Sequence, residues 1–108
     1  MVEKLDYNYD SKNDTLFIFN SELDYKSSLD MGGLVIDFSK DNKIKGIEIT
    51  EASLFFSEFL EKEITKENIM KVTNYLIDIK KSKNMYHISL GMKFENNLEV
   101  SIPLSTPI

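Results

Sequence analysis

Asp37 and Glu48 are the residues whose types and spacing come nearest to a chemical site. Leu34, Ile36 and Phe38 alternate with Val35 and Asp37, and Ile47 and Ile49 alternate with Glu48, so both segments read as half-buried strands. A two-residue turn at Asp41-Asn42, residues that tolerate the positive φ of a type I′ turn, would set Ile36 opposite Ile47 and Leu34 opposite Ile49. In that register Asp37 faces Gly46, Glu48 faces Val35, and the two carboxylates lie diagonally on one face with β-carbons ~7 Å apart. Such a pair could bind a hard cation such as calcium or magnesium, with Asp14 or Tyr7 as further ligands. It could equally accept hydrogen bonds from the turn Asp10–Asp14 and pin two hairpins together. The structural role is the simpler reading, and Gly46 suits it because a glycine lets a neighbouring backbone or side chain come close.

The remaining candidates are weaker. The turn Asp10-Ser11-Lys12-Asn13-Asp14 lacks the ligand spacing and glycine of an EF-hand, and reads as a turn in which an aspartate caps local amides. His87 is the only histidine, lies on the polar side of an alternating segment, and has no nucleophile or carboxylate beside it in sequence. No phosphate-binding glycine loop, nucleophile elbow or HExxH pattern occurs. No catalytic residue, metal site or cofactor is therefore assigned, and the chain is expected not to be an enzyme.

The stretch Leu54-Phe55-Phe56-Ser57-Glu58-Phe59-Leu60 is of another kind. Phe55/Phe59 and Phe56/Leu60 are four apart, which makes a wide apolar stripe on a short helix opened by Ser53 and closed by Glu61-Lys62-Glu63. Core packing accounts for much of it. Three phenylalanines exceed what one face of so short a helix buries, so Leu54, Phe55, Phe56, Phe59 and Leu60 are also candidates for an interface with a second copy or a partner.

The elements around these residues predict an α+β fold of antiparallel hairpins. Leu5, Tyr7 and Tyr9 alternate with polar residues, and Thr15–Phe19 is β-branched and aromatic, giving a first hairpin. Residues 20–32 read as a polar loop ending in Gly32-Gly33. The hairpin of Asp37 and Glu48 comes second, followed by the aromatic helix and a short helix capped by Thr65. Residues 72–81 fit either helix or strand, and strand is preferred because the next hairpin would gain a partner. Tyr86, Ile88, Leu90, Met92 and Phe94 alternate strictly; a turn at Asn96-Asn97 leads into Leu98, Val100 and Ile102, with Pro103 and Pro107 ending the strand. No boundary divides residues 1–108, which read as a single domain.

Composition narrows the function classes. The formal net charge is -5, and all 13 basic residues are lysine, so the basic stripe and arginine contacts of a nucleic-acid binder are missing. With no cysteine there is no disulfide or zinc ribbon. No signal peptide opens the sequence and no apolar run approaches the ~20 residues that span a bilayer, so a soluble, cytoplasmic protein is expected.

Tyr9-Asp10, Asp14-Thr15-Leu16-Phe17-Ile18, Leu34-Val35-Ile36-Asp37-Phe38, Gly46-Ile47-Glu48-Ile49 and Ala52-Ser53, in that order, resemble a prokaryotic family catalogued as domain of unknown function 2283. The likeness covers roughly residues 5–54. The family's hairpin turn often carries glycine where this chain has Asn42, and residues beyond 54 are only loosely similar to longer, archaeal-looking members. The resemblance implies a small protein without established enzymatic activity, some members looking like antitoxin-type partners of small toxins. An acidic interaction module is therefore the expected function, as a homo-oligomer or the partner of a basic protein. A cation- or small-ligand-binding protein using Asp37 and Glu48 is the alternative.

Overall fold

The computed structural model describes residues 5–72, 74–94 and 99–107. They form two compact units, Leu5–Met70 and the residues from Lys71 onward. The passage between them carries no glycine, proline or change of composition.

The first unit is a five-stranded antiparallel sheet with two helices. Its strands are β1 (Asp6–Asp10), β2 (Thr15–Phe19), β3 (Tyr25–Asp30), β4 (Leu34–Ser39) and β5 (Ile44–Ile49), in the spatial order β1-β2-β5-β4-β3. The expected registers hold: Leu34 pairs with Ile49, Ile36 with Ile47, Asp37 with Gly46 and Val35 with Glu48. β2 joins the two hairpins by pairing with β5, Leu16 opposite Ile49 and Ile18 opposite Ile47. Leu16, Ile18, Ile36, Ile47 and Ile49 are thereby aligned on one face and fully buried. α1 (Ala52–Leu60) and α2 (Lys66–Met70) contribute Ala52, Phe56 and Ile69 to this core. The hydroxyl of Tyr7, which pairs with Ile18, donates to the Ile69 carbonyl at 3.1 Å and places α2 over that face.

Three local expectations in this unit are corrected. Residues 20–32 are not all loop, because β3 pairs along β4 as an edge strand exposed on both sides. Without a buried face it has no alternation to read. Gly32 and Gly33, at φ 76° and 88°, make the two-residue turn between β3 and β4, and the Met31 N–H reaches the Leu34 carbonyl at 2.7 Å. This is the positive-φ turn that the sequence placed at Asp41-Asn42. There the chain makes a three-residue loop instead. The Asn42 N–H closes onto the Ser39 carbonyl at 3.0 Å and only Asn42 has positive φ, 60°. A bulge between Asp37 and Phe38 absorbs the extra residue, so the register beyond it is unchanged.

The third correction concerns the start of α1. Ser53 lies inside the helix; Glu51, which precedes it, is left-handed and its side chain makes no cap bond. Asp14 supplies the cap from the β1–β2 turn: its carbonyl accepts the Ala52 N–H at 2.9 Å and its carboxylate the Ser53 N–H at 3.1 Å. Thr65 does cap α2, exchanging bonds with Asn68 in both directions.

The second unit is a three-stranded antiparallel sheet in the order β6 (Asn74–Ser82), β7 (Met85–Lys93), β8 (Glu99–Pro107). The ambiguous stretch is strand, pairing along the whole of β7. Tyr86, Ile88, Leu90, Met92 and Phe94 are buried, as their alternation predicts. β8 runs through Pro103 rather than ending there. It is an edge strand, where a residue that would point its N–H outward loses no ladder bond. The turn expected at Asn96-Asn97 lies outside the described residues.

Candidate functional site

Register brings Asp37 and Glu48 together on the face of the five-stranded sheet opposite its helices. Asp37 is flanked by Ser28 on β3 and Gly46 on β5, and Glu48 by Val35 on β4 and Phe17 on β2. Gly46 is obligatory there, since a β-carbon would lie 2.6 Å from the Ile18 carbonyl oxygen and 2.9 Å from Phe19 Cβ. Both carboxyls are half-buried and lie diagonally across the β4–β5 ladder. Hydrogen bonding toward Asp37, partial desolvation and that neighbour's negative charge push Glu48 up to about 7. Glu48 therefore keeps its proton through the mildly acidic range. Asp37 also accepts from the Ser28 hydroxyl at 2.5 Å, and Ser28 Oγ lies 2.7 Å from the Tyr25 hydroxyl.

The other two residues proposed with this pair are elsewhere. Tyr7 is on the opposite face, bonded to α2. Asp14 accepts the hydroxyls of Tyr9 and Ser53, each at 2.5 Å. Partial burial works to raise Asp14, but the bonds from Ser53 and Tyr9 hold it below the usual carboxylate range. Asp14 thus ties the first hairpin to α1, the pinning role that the sequence offered to Asp37 and Glu48. Asp10 caps its own turn, accepting the Lys12 and Asn13 amides at 3.0 and 3.2 Å. Among the described residues no three of His, Cys, Asp and Glu group as metal ligands. Ser28 and Tyr25 are the members of this site that sequence reasoning missed, because their strand was read as loop. The Gly32-Gly33 pair just before an alternating strand was the available signal.

α1 has two unlike flanks. On one, Ser53 bonds Asp14, and Ser57 Oγ donates to the Ser53 carbonyl at 2.7 Å and accepts the Ile64 N–H at 2.8 Å. On the other lie Phe55, half-buried, and Phe59, 46% exposed; Leu54, further round, is 51% exposed. Phe56 is fully buried between the flanks, its ring edge-to-face with Phe55 at 5.4 Å, and Leu60 is half-buried. Glu51 and Glu58 are exposed on the helix's outer side, and Glu61, Lys62 and Glu63 are exposed just past its end.

Residues 6–53, from the start of β1 to the second residue of α1, match the family described as "Protein of unknown function (DUF2283)". A relative from Methanosarcina mazei, named "Putative hypoxanthine phosphoribosyltransferase", is 33% identical over 91 residues, 84% of this chain and 68% of that protein. An uncharacterised protein of Methanocaldococcus jannaschii, MJ0789, is 34% identical over 83 residues, 73% of this chain and 70% of that one. The chain belongs to the DUF2283 family. No solved structure matches it.

The family match takes in the whole five-stranded sheet, and with it the carboxyl pair and the Asp14–Ser53 tie. His87 falls outside it, exposed on β7. The ladder brings serines to both its ring nitrogens, Ser82 Oγ at 2.8 Å from Nε2 and Ser105 Oγ at 3.3 Å from Nδ1. No sequence neighbour announced them, since they come from adjacent strands. No described helix is long and apolar enough to cross a membrane.

Proposed function

We propose that this DUF2283 protein is a small, non-catalytic protein-interaction module that binds a basic protein partner through the outer flank of α1. The exposure of Phe59, on a helix whose opposite flank is built into the fold, carries this reading. A half-exposed phenylalanine beside Phe55, with Leu54 further round, offers apolar area that the protein's own packing leaves uncovered. The glutamates around it and the net charge of -5 favour a partner with lysines or arginines bordering an apolar groove, as in a toxin masked by its antitoxin.

Cation binding at Asp37 and Glu48 is the second reading. Calcium takes six to eight oxygens, and this pair with Ser28 brings only a few, already committed to one another. The activity named for the Methanosarcina relative is not extended to this chain. A phosphoribosyl donor carries phosphate, which proteins commonly hold with free amides of glycine-rich loops. Here Gly32 and Gly33 form a hairpin turn, with the Gly32 N–H taken by Asp30 at 2.8 Å, and Gly46 packs against β2.

The test is capture of tagged protein from native extract, followed by light scattering of the complex at low and high salt. A stoichiometric basic partner is expected, released by high salt and lost in Phe59→Ser while the variant's circular dichroism stays native. Retention of the partner by folded Phe59→Ser would remove α1 as the interface.

A further inference from the structure

We infer that the outer edge of β3 is a docking site for an extended peptide segment in which basic and apolar residues alternate. β3 stands at the end of the five-stranded sheet, and all six of its residues are exposed. The Met31 N–H bonds the Leu34 carbonyl at 2.7 Å, which makes those two residues a hydrogen-bonded pair. Such pairs alternate along an antiparallel ladder, so Leu29 and Ser27 turn their backbone groups inward to Ile36 and Phe38. Ser28 and Asp30 therefore turn their N–H and C=O groups outward, away from β4. Among the described residues no strand pairs with that side. A row of outward ladder groups is a template for one more strand.

Natural edges are blunted by bulges and lysines, and β3 has both at one end, where its register with β4 shifts around Lys26. The half next to the Gly32-Gly33 turn carries neither, and there the two faces differ. Leu29 and Met31 share the face of Ile36 and Leu34 and remain 39% and 43% exposed at the margin of the core. On the other face lie the exposed carboxylate of Asp30 and, one strand inward past Ser28, the half-buried carboxyl of Asp37. The nearby lysines are turned elsewhere, Lys26 Nζ to Asn42 Oδ1 at 3.3 Å and Lys45 Nζ to the Asn20 carbonyl at 3.0 Å.

A strand laid antiparallel along this edge bonds through the residues opposite Ser28 and Asp30, whose side chains fall on the carboxylate face. A lysine or arginine opposite Asp30 meets its carboxylate, and one opposite Ser28 reaches over the hydroxyl toward Asp37. The positions opposite Leu29 and Met31 fall on the other face and take apolar side chains. A second copy of β3 lacks this fit. Paired about Leu29, the two strands set Asp30 diagonal to Asp30 of the other copy, like charge near like. Paired about Ser28, they need the bulged Lys26 in the ladder.

The probe is the capped peptide Lys-Val-Lys-Val-Lys-Val, compared with Lys-Lys-Lys-Val-Val-Val, which has the same charge without the alternation. Binding to the full chain is followed by amide NMR and hydrogen exchange at low salt. With the alternating peptide, exchange of the Ser28 and Asp30 amides should slow about tenfold, while that of Leu29, already bonded to β4, changes little. The block peptide should leave both amides unprotected. Ser28→Pro removes an outward N–H and no bond of the β3–β4 ladder, so binding should be lost while the Leu29 and Ile36 amides stay protected. Asp30→Asn should weaken binding about threefold, the scale of an exposed ion pair. Equal protection by the two peptides, or binding retained by folded Ser28→Pro, overturns the site. So does protection of the Ser28 and Asp30 amides that rises with protein concentration in the absence of peptide, which would give the edge to a second copy.

Discussion

Asp14 does the work of several residues because the β1–β2 turn holds it at φ 54°, a left-handed conformation that aspartate tolerates better than most side chains. From there its carbonyl and carboxylate together cap α1, and the carboxylate also receives the hydroxyls of Tyr9 and Ser53. The Tyr9 phenol is driven well above its usual range, by desolvation first and then by its bond to Asp14 and that group's charge. Removing the carboxylate would leave a helix N-terminus and two part-buried hydroxyls without their acceptor. Asp14→Ala should therefore lower stability by about 2 kcal/mol, near the upper end for the loss of a cap. Asp14→Asn keeps the left-handed preference and one acceptor oxygen, and should lose about half as much. Urea unfolding of the two variants checks the order, and equal losses would mean that charge, not acceptor geometry, is what matters.

At the scale of elements, β2 and β5 are joined where Gly46 meets Phe19, and the join depends on a missing side chain. Gly46→Ala puts a β-carbon against backbone rather than against a flexible tip, so relief requires the strands to separate. A loss of about 2 kcal/mol or more is expected, read as a lower urea midpoint at unchanged slope. A neutral Gly46→Ala would mean that β2 can shift outward freely. A close approach at Gly46 was legible beforehand, though not that β2 makes it; the pairing of β4 with β5 was legible because Ile36, Ile47, Leu34 and Ile49 match in only one register. The diagonal placement of Asp37 and Glu48 followed from the same register. The sequence reading stopped where no buried face imposes a pattern: β3 is exposed on both sides, so Ser28 and Tyr25 were invisible as members of the site. It also stopped where a partner comes from far along the chain, as when Asp14 caps a helix 38 residues later. The Pro103 misreading has a different source, since a proline signals the end of a strand only where a neighbouring strand needs its N–H, and on an edge strand that side can face away from the sheet.

For the molecule as a whole, the shifted carboxyls act on stability from opposite sides of the isoelectric point, which is about 4.8. Asp14 is held below its ordinary 3.8 in the folded state, so its contribution is present above that value and is lost as pH falls through the folded value. Glu48 is raised from 4.5 to about 7, so the folded chain binds more protons than the unfolded one between those values. Its contribution is full below 4.5 and is lost as pH rises to about 7. The two windows leave a stability maximum between them, near pH 4 to 5, more acidic than the usual range of about pH 5 to 8. Mutual repulsion among the charges of a chain with net charge -5 at neutrality acts in the same direction. Calorimetry from pH 4.5 to 7.5 should find Tm falling by about 4 °C, equivalent to about 1 kcal/mol once solvent screening of the half-buried pair is allowed for. In Glu48→Gln most of that slope should vanish, leaving the shallow trend due to net charge. A wild-type Tm that rises toward neutrality would mean that the pair ionises without cost. The maximum also falls where net charge vanishes and repulsion between molecules is weakest, so the pH of greatest fold stability should be close to the pH of least solubility.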